Sequence, residues 1–103
     1  GLNSTSQAIT GDGSTSTAID IITPVTEVNA TSAAAPCTLA DGNNGQIKTI
    51  INVSTSGTEA VTITPSNLRG FTTVTLNAPG ETVTLMFKNS NWNIIAGHDY
   101  TAA

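Results

Sequence analysis

Charge is what this chain has least of. Asp, Glu, Lys and Arg make up 10% of its 103 residues, against about 25% in ordinary soluble domains. Only Lys48, Arg69 and Lys88 are basic, and the net charge is −4. With no basic stripe to neutralise phosphates, no nucleic acid is expected as a partner. Aromatics are equally sparse: Phe71, Phe87, Trp92 and Tyr100 are not interleaved with Arg or Lys as a base-stacking groove requires. The single cysteine, Cys37, allows no internal disulfide. No apolar run approaches the roughly 18 residues of a spanning helix, so no membrane is expected either. The first residues, Gly1-Leu2-Asn3-Ser4-Thr5, have neither the charged nor the apolar region of a secretory signal. Lysines and other charges normally guard sheet edges, and interface cores are depleted in the same residues. A chain this short of them is expected to have its edges covered by sister copies.

What the chain has is strands. In residues 58–97, Val61 and Ile63 alternate with Thr62 and Thr64, Val74 and Leu76 with Thr73 and Thr75, and Val83, Leu85 and Phe87 with Thr84, Met86 and Lys88. Period-two alternation puts the apolar set on one face and the threonines on the other, which reads as an antiparallel meander with one dry side. Asn77-Ala78-Pro79-Gly80 is a tight turn, Pro-Gly suiting type II. Residues 88–91 join two strands as a hairpin.

The first half is weaker. Residues 18–22 and 37–40 read as short strands, 29–36 as a loop, and Asp41-Gly42-Asn43-Asn44-Gly45 as a turn. Residues 46–53 form its best strand, with Ile47, Ile51 and Val53 sharing one parity as its main apolar face and Ile50 on the other, so that side is also partly covered or the strand bulges. Residues 1–17 are small and polar, an arm or a short edge strand around Ile9 that cannot order itself and is either loose or ordered by a neighbour. The expectation is therefore an all-β fold: a small antiparallel β-sandwich or jelly roll of about eight strands with a polar N-terminal arm. Residues 18–103 make one domain, since a chain of this length has room for one core. No fixed-period repeat is visible, which weighs against a β-solenoid.

Chemistry is hard to place on this scaffold. A nucleophile–base pair could only be Cys37 with His98; the competing reading is a buried reduced thiol and an exposed or interfacial imidazole. The oxygen-rich run 41–45 has alternate ligands like a calcium loop but lacks the distal glutamate, so a turn is preferred, and Asp12 between two glycines is weaker still. Asn3, Asn29 and Asn52 fall in glycosylation sequons, close to the chance number in a chain rich in Asn, Ser and Thr. Gly1 fits a loose myristoylation pattern if a Met preceded it, without a polybasic partner. Trp92 and Tyr100 could form a carbohydrate platform, but Trp92 shares parity with Ile94 and reads as core. No catalytic, cofactor-binding or metal-binding residue is assigned.

Three stretches carry a likeness: GQIKTI at 45–50, TPSNLRGFTTVTLNAPGETVTLMF at 64–87 and WNIIAG at 92–97. In the order D-G-x-x-G-Q-x-K, T-P-x-N-L-x-G, T-x-T-L-x-A-x-G-E-x-V-T-L and W-x-I-I, the chain resembles short virion structural proteins of tailed phages, notably cyanophages, and related modules on phage tail fibres. The likeness spans residues 39–97, and Pro79 before Gly80 is a departure that touches that turn alone. It implies a virion component without enzymatic activity, made in the host cytoplasm. At this length it implies a head decoration or cement protein: a small β-rich homotrimer on the outer surface of the capsid, bracing the major capsid protein. The polar arm could extend roughly 55 Å toward a neighbouring subunit. The alternative is a tail fibre or spike adhesin domain whose loops at 41–45, 66–70 and 88–91 touch host glycan.

Overall fold

Alternation decides which residues form strands; which strands become neighbours is a separate matter, and there the fold departs from a meander. The computed structural model describes residues 6–11, 13, 15–31, 33–55 and 59–103. They form ten strands and no helix: β1 (Ser6–Gly11), β2 (Thr17–Ile19), β3 (Val25–Ala30), β4 (Ala35–Leu39), β5 (Ile47–Asn52), β6 (Val61–Pro65), β7 (Val74–Leu76), β8 (Thr82–Lys88), β9 (Asn91–His98) and β10 (Thr101–Ala102). Two five-stranded sheets enclose one core, the first ordered β1-β3-β5-β8-β9 and the second β10-β7-β6-β4-β2. The protein is an all-β sandwich.

The antiparallel expectation holds only for the second half. Through β6 the chain crosses from one sheet to the other at every step, so β1, β3 and β5 are mutually parallel, as are β2, β4 and β6. This is a flattened coil of three turns, the solenoid-like winding that the missing repeat argued against. Ser6 lies opposite Val25 and Val25 opposite Thr49, offsets of 19 and 24 residues. The turns differ in loop length, so the repeat exists in space and not in the sequence. Then β7 and β8 pair antiparallel with β6 and β5, β9 returns along β8, and β10 closes on β7.

The core is one contiguous cluster. Val28, Ile50, Val83 and Leu85 of the first sheet, and Leu39, Val61, Ile63, Val74 and Leu76 of the second, are among its buried members. Two first-half readings reverse. Ile50 faces the core with Lys48 and Asn52, while Ile47 is exposed and Ile51 and Val53 are half-exposed on the outside. Residues 20–24 are a loop, with Ile22 89% exposed. The loop expected over 29–36 is shorter, because β3 runs to Ala30 and β4 starts at Ala35. Residues 6–11 are ordered within the chain itself as edge strand β1, with Ile9 buried. Residues 1–5, which hold the Asn3 sequon and Gly1, and Asp12 lie outside the described residues.

Buried polar groups are all satisfied among the described residues. At one end of the sandwich, the Asn52 amide donates to the Glu59 and Leu76 carbonyls (3.0 and 2.9 Å) and its oxygen accepts from Ser54 N–H (2.9 Å). That bonding ties the sheets together and leaves the Asn52 sequon with no accessible acceptor. At the other end, Lys48 is fully buried. Its ammonium donates to the Thr23 carbonyl (2.7 Å) and hydroxyl (3.1 Å) and sits 3.5 Å from the Asp20 carboxylate. Burial lowers its pKa, partly offset by Asp20.

Candidate functional site

Strand direction sorts the connections by end. Because β1, β3 and β5 run one way and β2, β4 and β6 the other, the loops 20–24, 40–46, 66–73 and the β8–β9 hairpin share the end that holds Lys48. The hairpin turn is tight, with Asn89 and Ser90 at φ 53° and 66°, the left-handed pair that a two-residue hairpin requires.

Trp92 is the peg for this end. It is fully buried, donates from its indole nitrogen to the Ala40 carbonyl (2.9 Å) and packs edge-on against Phe87 with ring centroids 5.2 Å apart. It is therefore core and no carbohydrate platform. A Cβ on Gly42 would lie 3.0 Å from the indole and nearer still to the Gln46 side-chain oxygen, so glycine lets loop 40–46 rest on the ring without displacing either. The Trp92 backbone donates to the Asn67 carbonyl and accepts from Arg69 N–H, both at 2.9 Å.

Loops 41–45, 66–70 and 88–91 thus come together, and polar side chains knit them. Asp41 accepts from the Ser66 hydroxyl (2.6 Å) and the Asn67 amide (3.0 Å), which hold its carboxyl below the ordinary range. Asn44 accepts from Asn89 N–H (3.2 Å). The Arg69 guanidinium donates to the Asn93 side chain (2.7 Å) and to the Lys88 and Asn89 carbonyls. No described carboxylate pairs with Arg69 or Lys88. A cleft of about 470 Å³ beside these loops is lined by Thr38, Leu39, Ala40, Thr64, Pro65 and Ser66. Phe71 is about half-exposed at the same end.

A second surface is the outer face of the second sheet. Cross-strand register aligns Pro36, Thr62, Thr75 and Thr101 in one row and Ala18, Thr38 and Thr64 in the next. No Asp, Glu, Lys or Arg stands on these strands. The five threonine hydroxyls make no hydrogen bond within the described protein, unlike Thr49 and Thr84 on the first sheet, whose hydroxyls bond each other at 3.0 Å.

The other candidates separate. Cys37 faces the core between Thr17 and Ile63, 1% exposed, and burial pushes its thiol up to about 11. His98 is 72% exposed on β9 and pairs with Asp99 at 3.2 Å, so the two do not form a catalytic couple. Among the described residues no group of three or more His, Cys, Asp or Glu is placed to hold a metal ion. Asn29, of the remaining sequon, accepts from Thr55 N–H at 3.2 Å. Arg69 and Asn93 carry the loop end without having been singled out; their only signal was the polar density around Trp92. No protein-family model matches the chain, and no curated protein matches it at a significant level.

Proposed function

We propose that this chain is a structural protein of a virion, a decoration or cement protein that binds the outer surface of an assembled phage head, over the major capsid protein, as a homo-oligomer with three copies. The observation that carries the reading is the outer face of the second sheet, with its aligned rows of unengaged threonines and no charge. Docking such a face strips no ion of its water, and the cost of drying the threonine hydroxyls is offset where the partner surface hydrogen-bonds them. A protein that binds only the assembled shell stabilises it by the free energy of binding, through mass action. The likeness of residues 39–97 to virion structural proteins points the same way.

The test is co-sedimentation with purified heads of a tailed phage lacking their own decoration protein, together with the temperature at which those heads rupture. Saturable binding and a raised rupture temperature are expected, both lost in Thr62→Lys/Thr64→Lys. Absence of binding at any concentration overturns the reading.

One observation favours a second reading. The three loops named for a glycan contact lie together, with Asp41 bonded to Ser66 and Asn67 and Asn44 bonded to Asn89, and Ser66 also lines the neighbouring cleft. In an adhesin domain the isolated chain would bind host-surface glycan, and Asp41→Ala would abolish that binding without touching head binding.

A further inference from the structure

The borders of the first sheet, β9 and β1, differ in how the chain treats them. Among the described residues, the outer side of β9 is closed only at Trp92, whose N–H and C=O are taken by Asn67 and Arg69. Two residues on, Ile94 turns its backbone groups the same way, and no described backbone bond reaches them. Ile95 has no partner on β8, because the register shifts between Thr84 and Leu85; it is 49% exposed, and Ala96 to His98 are exposed as well. The run Ile94-Ile95-Ala96-Gly97 has no charge and no proline. At the other border, β1 has β3 as its one described strand neighbour and likewise has no charge or proline.

An edge with unpaired backbone groups and no guarding charge is a template for another strand. We infer that the free border of β9, Ile94 to His98, pairs with the free border of β1, Ser6 to Gly11, in the next copy, so that the first sheet continues from one copy to another. Five residues face six. Direction agrees as well: β1 is parallel to β5 through β3, and β8 and then β9 each reverse it, so β9 and β1 point the same way. Copies related by rotation about an axis along the strands therefore meet in a parallel pair, as β1 and β3 do within the chain. Pairing one border with the other is heterologous, and such contacts give a ring when the rotation between copies closes and an open filament when it does not; the threefold assembly proposed above is the closed case. Pairing β9 with itself can give only twofold dimers. The inference rests on the homo-oligomer part of the proposal above and needs no shell.

The experiment uses the full chain and two variants that place lysines on one border each: Ile95→Lys/Ala96→Lys on β9 and Ala8→Lys/Thr10→Lys on β1, all at exposed positions. Retained folding is read from the emission of buried Trp92. Sedimentation should give a closed oligomer of more than two copies for the wild type and monomers for each variant alone. Mixing the two variants should give a one-to-one dimer, since each retains the border the other has lost. A strictly monomeric wild type overturns the inference. So does a β1 variant that assembles like the wild type, or a mixture that stays monomeric. Should a variant misfold, single substitutions at Ala96 and at Ala8 give the same readout. Head binding by the monomeric variants is scored separately, so loss of the ring and loss of the shell contact are distinguished.

Discussion

A lysine with no exposed surface is the least expected residue of the core. The alternation of residues 46–53 made Ile47, Ile51 and Val53 the inward set, because three large apolar residues outvote Lys, Ile and Asn on hydropathy alone. The fold chooses the opposite parity because Asp20, the Thr23 carbonyl and the Thr23 hydroxyl wait for the ammonium, and Glu59 and Leu76 carbonyls wait for Asn52. Apart from Glu59, seven residues beyond Asn52, these partners are 24 or more residues away, so no local pattern could reveal them. Asp20 also accepts from the Ile22 and Thr23 amides and the Thr23 hydroxyl. Asp20→Ala removes those bonds and strands a buried charge, so it should cost about 2–3 kcal/mol in denaturant unfolding, softened by the partial exposure of Asp20. Lys48→Met, close in shape, removes the buried charge itself, so although it takes the donor from the Thr23 carbonyl it should cost less than Asp20→Ala. The pH dependence follows from the same pair. The Thr23 amide is the main cause that holds the Asp20 carboxyl below its ordinary 3.8. Below that value the unfolded chain takes up a proton that the folded chain resists, so stability falls as pH drops toward the lower folded value. Burial holds Lys48 below 10.5, and the unfolded chain keeps that proton longer, so stability rises as pH climbs through the window beneath 10.5. Unfolding curves of the wild type and Asp20→Ala should differ in the acid limb. Cys37 adds a chemical check: its raised pKa and burial predict no reaction with a thiol reagent at pH 8 until denaturant opens the sheet.

Strands were legible where both faces obeyed one rule. β6, β7 and β8 carry their buried residues at the positions that alternation assigned, and Trp92 was readable as core from its parity with Ile94. Partner identity was not legible, since a period of two is common to parallel and antiparallel strands and only the loops decide between them. β9 shows how an element is terminated by contact rather than by pattern. A Cβ on Gly97 would lie 2.6 Å from the Thr82 carbonyl and 2.6 Å from the Tyr100 ring, and Tyr100 packs against the core in the place a side chain would take. Gly97→Ala should therefore cost about 1–3 kcal/mol. Adding Tyr100→Ala to it should restore only part, because the clash with the Thr82 backbone remains. Full rescue in thermal melts would mean the ring was the only obstacle. At the other end of β9, Trp92→Ala should cost about 3–5 kcal/mol. It should also release loop 41–45, and loop 66–70 with it through the Asp41 bonds to Ser66 and Asn67, even though the residue-92 backbone bonds remain. Amide shifts that move in one loop alone would contradict the shared peg.

Taken whole, the molecule joins two kinds of topology: a three-turn coil that could have been longer, and an antiparallel closure that stops it. The closure has the clearer sequence signals, in its Pro-Gly turn and its hairpin. The coil shows no repeat, because its turns bury Ile9, then Val28, then Ile50 through loops of unequal length. Stability should follow this division. β5 and β8, and β4 and β6, have neighbours on both sides, whereas β1, β2 and β10 are borders, and β2 and β10 are three and two residues long. Local opening draws first on segments with few buried contacts and exposed backbone bonds. In hydrogen exchange on the lysine-blocked monomer, amides of β2 and β10 should exchange first, β1 next, and those of Ile50, Val83 and Ile63 last. Equal protection from β1 through β6 would instead make the coil a single cooperative block. In the wild type the order should change at two places only. The outward amides of Ile94 to His98 and of β1 should gain protection as concentration rises, because there alone would a second copy supply the missing acceptors.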